Sequence, residues 1–314
     1  MGARMSNLEI VSGGHKLGQL VGDWFQDDFV RPLLAEVARQ LGLYLDHRLR
    51  ARSARGERVI WKDEDGNEVD YDFVMEIGGT DDQIGVPVAF YECFWRRGSR
   101  HSKDKARDDS GKLAPQRHLW PTARFLGILA SGNFTNPARE LIRSRNIDLF
   151  YVPKTKVVEA FQSLGLVVDY DDKANESEKQ QLGEVFAQAF TSGAKAKVVS
   201  ALRDLIGEVT IDGYTSRVAA ALSSLPQEIR FIGRRNSTAR RFESIDEATK
   251  FLEHPEFDFS QLMETFIYEI TYDDGSDFSR EAPDLESLRF LHNQIASLSN
   301  HMKGLGRPSR SGAG

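Results

Sequence analysis

Three carboxylates stand on two segments of this chain that should pair as β-strands. Residues 69–77 and 86–95 are rich in β-branched and aromatic side chains, which is typical of strands. Because side chains alternate between the two faces of a strand, Asp70 and Asp72 share one face of the first segment. Glu92 shares a face with apolar side chains on the second. Carboxylates on adjacent strands can hold a hard divalent cation beside a phosphate.

A run of basic residues follows Glu92, with the sequence R-R-G-S-R-H-S-K-D-K-A-R. Acidic side chains bordered by basic ones indicate phosphodiester chemistry on nucleic acid. We therefore expect a polyanion backbone to contact Arg96, Arg97, Arg100, His101 and Lys103. An alternative is that Glu92 pairs with one of the arginines after it, while Asp70 and Asp72 cap a hairpin. For His101 the alternatives are a surface histidine, a phosphate ligand or a general base.

The composition describes a globular chain of moderate size. Its 314 residues, 40% of them hydrophobic, suffice for one large domain or two modest ones. With a formal net charge of −6, any nucleic-acid surface must be a local patch on an acidic body. The single cysteine, Cys93, excludes an intramolecular disulfide and a cysteine-based zinc site, and we expect a buried apolar role for it. No apolar run approaches the ~20 residues that cross a bilayer, so we expect no membrane partner and a cytoplasmic location.

The elements around the acidic strands follow an α/β order. Apolar residues recur every three or four positions over residues 15–48, which predicts amphipathic helices with a bend near Pro32. The strands at 69–77 and 86–95 should form a three-stranded meander with residues 58–64, joined to them by a D-E-D-G-N turn. After them we expect, in chain order, a helix at 99–110, a buried strand at 124–130, a helix at 136–145 and a buried strand at 147–152.

The second half of the chain has a different character. Three helices are predicted between residues 176 and 225, followed by an α+β region and a last helix at 285–301. We therefore expect a core at 1–155, a second region at 156–302 for DNA recognition or dimerisation, and a disordered tail at 303–314. A second basic cluster contains Arg234, Arg235, Arg240 and Arg241. It could enter a groove of DNA, or it could be a solvated surface.

The order of a helix, a three-stranded meander, a helix and a strand, with Asp on the second strand and Glu on the third, resembles the PD-(D/E)xK nuclease superfamily. The resemblance covers about the first half of the chain. It implies a restriction-endonuclease-like mixed sheet flanked by helices. It also implies that Asp72 and Glu92 bind Mg²⁺, with Mn²⁺ as a substitute and Asp70 as the alternative acid.

The sequence departs from the pattern of that family two residues after Glu92. The family has a lysine there that orients or helps to deprotonate the attacking water, whereas this chain has Phe94. Three residues could replace it: Arg96 on the same strand face, or Lys103 and Lys105 on the following helix. Arginine is a poor proton acceptor because of its high pKa. We favour Lys105, because R-H-S-K-D-K-A is similar to a run that follows the active-site strand in some restriction-enzyme-like proteins.

These observations predict a Mg²⁺-dependent DNA endonuclease from a restriction or other host-defence system. Its substrate would be double-stranded DNA, and a homodimer is expected if both strands are cut. The resemblance also implies a companion methyltransferase or defence-system subunit. The alternative is a DNA-binding or regulatory protein that keeps the nuclease fold but lost activity with its lysine. The chain has no Gly-x4-Gly-Lys-Ser/Thr loop and no His-Glu-x-x-His motif, which argues against ATP use and against a zinc hydrolase.

Overall fold

The computed structural model describes residues 13–100, 102–171, 173–234, 239–253 and 265–305. The helices are α1 (Gly13–Trp24), α2 (Arg31–Gln40), α3 (Ser102–Leu113), α4 (Gln116–Leu119), α5 (Asn136–Arg143), α6 (Lys154–Gln162), α7 (Glu176–Ala189), α8 (Ser192–Ile206), α9 (Glu208–Ser223), α10 (Ile245–Glu253) and α11 (Leu285–Gly304). The strands are β1 (Tyr44–His47), β2 (Val59–Lys62), β3 (Glu68–Tyr71), β4 (Phe73–Ile77), β5 (Val86–Arg96), β6 (Phe125–Gly132), β7 (Asp148–Pro153), β8 (Pro226–Gly233), β9 (Ala239–Phe242), β10 (Phe266–Tyr272) and β11 (Asp277–Ala282).

The first half of the chain forms a mixed sheet with the strand order β1-β4-β5-β6-β7. The first three strands are antiparallel, and β5, β6 and β7 are parallel. Every residue of β6 is buried, as its apolar run predicted for a strand covered on both faces. The expected α/β class, a mixed sheet flanked by helices, is therefore confirmed.

The strand that begins the meander is not the expected one. The first strand is β1, which pairs with β4, whereas β2 pairs with β3 in a separate two-stranded sheet. The prediction that residues 58–64 lie in the main sheet was wrong, because the expected strand at 69–77 is interrupted at Asp72. β3 ends before this residue, and β4 begins after it.

The helices cover both faces of the sheet. On one face, α1, α2 and α6 to α9 pack with Tyr91, Cys93 and Trp95 of β5 in one apolar cluster. Cys93 is thus a buried apolar residue, as predicted. On the other face, α3 and α5 pack against Phe90 and Phe94. A π-helical segment, Phe25–Val30, lies directly before α2 and ends two residues before Pro32, the position of the expected bend.

The C-terminal part has its own antiparallel sheet, in the order β11-β10-β8-β9, with α10 and α11 in its apolar cluster. The helices from α6 to α9 follow the boundary expected at residue 155 but pack on the first sheet. The end of α11 also contacts the first unit, where Nε2 of His301 lies 2.8 Å from the carbonyl oxygen of Leu41. The last helix includes the first residues assigned to the tail, and residues 306–314 lie outside the described chain. Across the described residues, no helix is long and apolar enough to cross a membrane.

Candidate functional site

Asp72 lies at the bend between β3 and β4, where backbone and side chain both bind β5. Its amide donates to the carbonyl oxygen of Tyr91 at 3.2 Å. The amide of Cys93 donates to Oδ2 of Asp72 at 2.7 Å. The residue between these two partners is Glu92, so β5 holds the two acids next to each other. Asp72 is 7% exposed and Glu92 is 3% exposed, so both carboxylates have been taken out of water.

The second acid, Glu92, faces the helix α3. It lies in β5 between Phe90 and Phe94 on the face that packs against this helix. Nζ of Lys112, on the last turn of α3, lies 3.4 Å from Oε1 of Glu92. Among the described residues this is the ion pair of Glu92, in place of a pair with Arg96 or Arg97.

A third carboxylate, Asp109, belongs to the same cluster. Asp109 is fully buried, and Nζ of Lys105 donates to its Oδ1 at 2.6 Å. Its Oδ2 atom is buried and has no hydrogen-bond partner among the described residues. Because residues four and three apart lie on one side of a helix, Lys105, Asp109 and Lys112 form one stripe along α3.

Burial raises the pKa of each of the three acids, and repulsion from neighbouring carboxylates adds to the increase for Glu92 and Asp109. Burial, then Asp72, then Asp109 raise the pKa of Glu92 from 4.5 to about 8, against the opposing effect of the two lysines. Burial likewise raises the pKa values of Asp72 and Asp109. Although burial alone would lower the pKa of Lys112, the three carboxylates raise it above its usual value. The site therefore combines buried acids that resist ionisation with a lysine that stays protonated.

Two further side chains reach Asp72 from the N-terminal helices and the loop after β1. Nε2 of Gln26 donates to Oδ1 of Asp72 at 3.3 Å, and Nε of Arg48 lies 3.3 Å from the same oxygen. Arg48 also donates to Oε1 of Gln26 at 2.7 Å. Sequence reasoning missed both residues, since neither is part of a local motif with Asp72.

The acids fit a hard divalent cation by their chemistry. Oxygen ligands are those that Mg²⁺ prefers, and one or two carboxylates with water and phosphate are its usual set in proteins. The Oδ2 atom of buried Asp109 has no hydrogen-bond partner among the described residues, so one carboxyl oxygen of the cluster is unpaired within them. Within the described ranges, no group of three or more His, Cys, Asp or Glu side chains is arranged to hold a metal. Asp72 and Glu92 are therefore two buried carboxylates on adjacent paired residues, and their oxygens are of the type that a divalent cation would bind.

The structure does not place Asp70, the alternative acid, with this pair. Asp70 lies on β3 opposite Ile60, and its neighbours Val69 and Tyr71 pack into the cluster beneath α3. By strand alternation Asp70 lies on the other side of β3. Its Oδ1 atom is buried and has no hydrogen-bond partner among the described residues.

Of the three candidates for the missing lysine, Lys105 belongs to the cluster of acids. It joins the cluster through Asp109, and its Nζ lies 5.4 Å from the ring centre of Phe94. Lys103 is exposed on α3, and Arg96 lines a cleft beside α1. The residue that contacts Glu92 is Lys112, which the sequence analysis did not consider. The signal that could have found it is the spacing of Lys105, Asp109 and Lys112 along one side of α3.

The basic residues after β5 line a cleft of about 470 Å³ between α1 and the end of that strand. Arg96 is half-buried and Arg100 is exposed; neither has an ion-pair partner among the described residues. Arg97 lies 3.4 Å from Oδ1 of Asp169 and over the ring of Tyr170, so it ties β5 to the chain after α6. His101 lies outside the described residues.

The second basic cluster is distributed over both faces of the C-terminal sheet. Arg234 pairs with Glu281 at 3.2 Å, and Arg241 pairs with Glu228 at 2.8 Å. Arg240 lies over the ring of Phe251 at 6.0 Å. Arg235 is outside the described residues. The ion pairs reduce the positive charge that this cluster presents to solvent.

Comparison with known proteins does not assign the chain to a family. No family model matches the chain, and no curated protein matches it. A crystal structure of a protein of unknown function is 15% identical, with a TM-score of 0.26, and the match covers 56% of this chain and 95% of that chain. A similarity at this TM-score carries no conclusion about fold or activity.

Chemically, the cluster can bind a cation and an anion side by side. A divalent ion beside Asp72, at the bend before β4, and Glu92, on β5, would offset the cost of ionising these two acids in a buried environment. Lys112 is a fixed positive charge against one of these acids. Arg96 and Arg100 provide guanidinium groups for a phosphate at the same end of β5.

Proposed function

We propose that this protein is a Mg²⁺-dependent DNA endonuclease with a PD-(D/E)xK type of core. The observation that carries the proposal is the position of two buried carboxylates, Asp72 at the bend before β4 and Glu92 beside it on β5, with Lys112 3.4 Å from Glu92. Buried ionisable groups with raised pKa values concentrate at functional sites. The restriction or host-defence setting, the dimer and a companion subunit remain predictions from the sequence.

In this proposal the two acids hold the cation and Lys112 acts beside them. A bound Mg²⁺ would lower the pKa of a coordinated water and neutralise charge on the phosphate. Because the surrounding carboxylates raise the pKa of Lys112, its ammonium group stays charged. Lys112 therefore orients the attacking water and stabilises negative charge; it does not act as the base. Lys105 donates a hydrogen bond to Asp109 and keeps this third acid in place.

The observed contacts of Asp72 favour a second candidate, a DNA-binding protein without catalysis. Arg48 lies 3.3 Å from Oδ1 of Asp72, and Gln26 donates to the same oxygen. A guanidinium group in this position can substitute for a cation as the partner of a buried carboxylate. A protein of this kind would bind DNA and leave it intact.

The test is cleavage of supercoiled plasmid and of single-stranded circular DNA with Mg²⁺ or Mn²⁺. We expect wild-type protein to nick or cut DNA, and Asp72→Asn and Glu92→Gln to lose this activity while they retain the fold. Glu140→Gln is a matched control, because Glu140 is an exposed acid on α5 that pairs with Arg143. DNA that is shifted on a gel but never cut by wild-type protein would support the second candidate.

A further inference from the structure

The cleft beside the acidic pair is open to a ligand of limited size. It lies between α1 and the end of β5 and has a volume of about 470 Å³. Gln26 and Arg48, which both contact Asp72, line it. Pockets of roughly 300–1,000 Å³ accept single small molecules, so the cleft has room for about one nucleotide and not for a duplex.

The α1 wall of the cleft contains three glycines among polar side chains such as Gln19 and Asp23. Gly14, Gly18 and Gly22 recur every fourth residue of α1 and all line the cleft. A Cβ atom built at Gly18 would meet nothing within 4 Å, and one at Gly22 would meet Trp95 alone, at 3.8 Å. At Gly14, in contrast, a built Cβ would clash with the hydroxyl group of Tyr170. The helix backbone is therefore accessible at Gly18, and a ligand can lie directly against it there.

The charges on the opposite wall favour an anion. Arg96 and Arg100 line the cleft without an ion-pair partner among the described residues, in a chain of net charge −6. Arg48 adds a third guanidinium close to Asp72. Asp23 is the acidic residue among those that line the cleft. Phosphate groups are the anions that paired guanidinium groups bind best.

Aromatic residues complete the cleft. Phe94 and Trp95 both line it, and Trp95 is 9% exposed. Nucleic-acid bases stack on aromatic side chains once they have left a duplex, while arginines contact the backbone beside them. Guanidinium groups, two mostly buried aromatic side chains and the exposed backbone at Gly18 thus meet in a space of nucleotide size.

We propose that this cleft holds one unpaired nucleotide of the substrate, so that the protein prefers single-stranded or locally unpaired DNA. The inference rests on the proposed function for the link between this nucleotide and cleavage. Arg96 and Arg100 contact its phosphates, and the Gly18 face of α1 contacts its sugar and base. The strand then runs past Arg48 to the acidic pair.

The test is fluorescence anisotropy of a labelled oligothymidylate and of its duplex with oligoadenylate, in EDTA so that no DNA is cut. Wild-type protein should bind the single strand at least about tenfold more tightly, since one stacked base contributes about 1–3 kcal/mol. Gly18→Leu fills the cleft and should weaken single-strand binding by about tenfold or more. Leucine is also a better helix former than glycine, so this variant should fold.

Gly213→Leu is the matched control, because Gly213 is an exposed glycine of α9 with nothing within 4 Å of a built Cβ. It should bind as wild type does. Equal binding of single strand and duplex, or unchanged binding by Gly18→Leu, would overturn the inference even if the protein cuts plasmid. Selective binding of the single strand by wild type, lost in Gly18→Leu, would support the inference even if no DNA is cut. In that case the absence of cleavage would contradict only the proposal that the protein is a nuclease.

Discussion

The ammonium nitrogen of Lys112 lies 3.4 Å from Oε1 of Glu92, twenty residues earlier in the chain. Phe94, two residues after the acid on the same strand face, packs instead into the apolar cluster beneath α3. A helix thus brings to Glu92 the positive charge that the strand itself does not supply. This relationship makes Lys112 the first residue to test.

Replacing Lys112 with methionine should reduce DNA cleavage by roughly 10²–10³-fold, the usual cost of removing one group that stabilises transition-state charge. The cause is loss of the fixed charge beside Glu92. Single-turnover cleavage measures the effect. The control is Arg107→Met on the same helix, where the exposed side chain pairs with Asp104 at 3.4 Å. Equal rates for the two variants would contradict the role given to Lys112.

The raised pKa of Glu92 predicts a pH-dependent stability in EDTA. Its folded pKa of about 8 exceeds the ordinary 4.5, so its contribution to stability is fully present below 4.5 and is lost as the pH rises through 8. The free energy of unfolding of wild type, relative to Glu92→Gln, should fall between these values by up to about 1.4 kcal/mol per pH unit. Urea denaturation at several pH values measures this. A difference that does not change with pH would contradict the assignment.

The acidic pair could be predicted from the sequence, and its lysine could not. Asp72 and Glu92 could be identified because each is a charged residue within an apolar strand segment. The alternation of side chains along a strand then assigns each acid to one face of its strand. The contact of Lys112 with Glu92 could not be predicted, because it depends on which side of α3 packs against β5. The contact of Arg97 with Asp169 could not be predicted either, since the two residues are 72 positions apart in the chain.

The strand β1 was missed for a different reason. Its sequence, Y-L-D-H, contains Asp46, which is 3% exposed and pairs with the guanidinium groups of Arg52 and Arg55. A buried ion pair interrupts the apolar alternation by which a strand is recognised. Residues 44–47 instead fell within the segment 15–48, whose three-to-four spacing predicted helices.

This buried network should be important for stability. Arg52 is 2% exposed and lies 2.7 Å from Oε1 of Glu76 and 2.9 Å from Oδ2 of Asp46. Arg52→Met leaves both acids buried without their shared partner, so we expect a loss of about 3–5 kcal/mol in urea denaturation. The exposed pair of Arg50 with Asp81 is the control, and Arg50→Met should cost about 0–1 kcal/mol. Comparable losses for the two variants would show that the network does not anchor β1 to β4.

The two groups of arginines should differ in their effect on DNA binding. Arg96 and Arg100 have no ion-pair partner among the described residues, whereas Arg234 and Arg241 each pair with a glutamate. Removing the first two should reduce the slope of log affinity against log salt by up to about 1.4–1.8, at roughly 0.7–0.9 for each phosphate contact. Removing Arg234 and Arg241 should reduce it less. The reverse order would place the DNA surface on the C-terminal sheet.

Mn²⁺ binding, measured by isothermal titration calorimetry at a pH above 8 where Glu92 is mostly ionised, tests the central claim most directly. We predict that wild type binds Mn²⁺ and that Asp72→Asn and Glu92→Gln each weaken binding at least about tenfold, the effect of 1.4 kcal/mol. Asp70→Asn should bind as wild type does, because Asp70 lies on the other side of β3. Absence of Mn²⁺ binding by wild type, or unchanged binding by Glu92→Gln, would contradict a cation site at the Asp72–Glu92 pair.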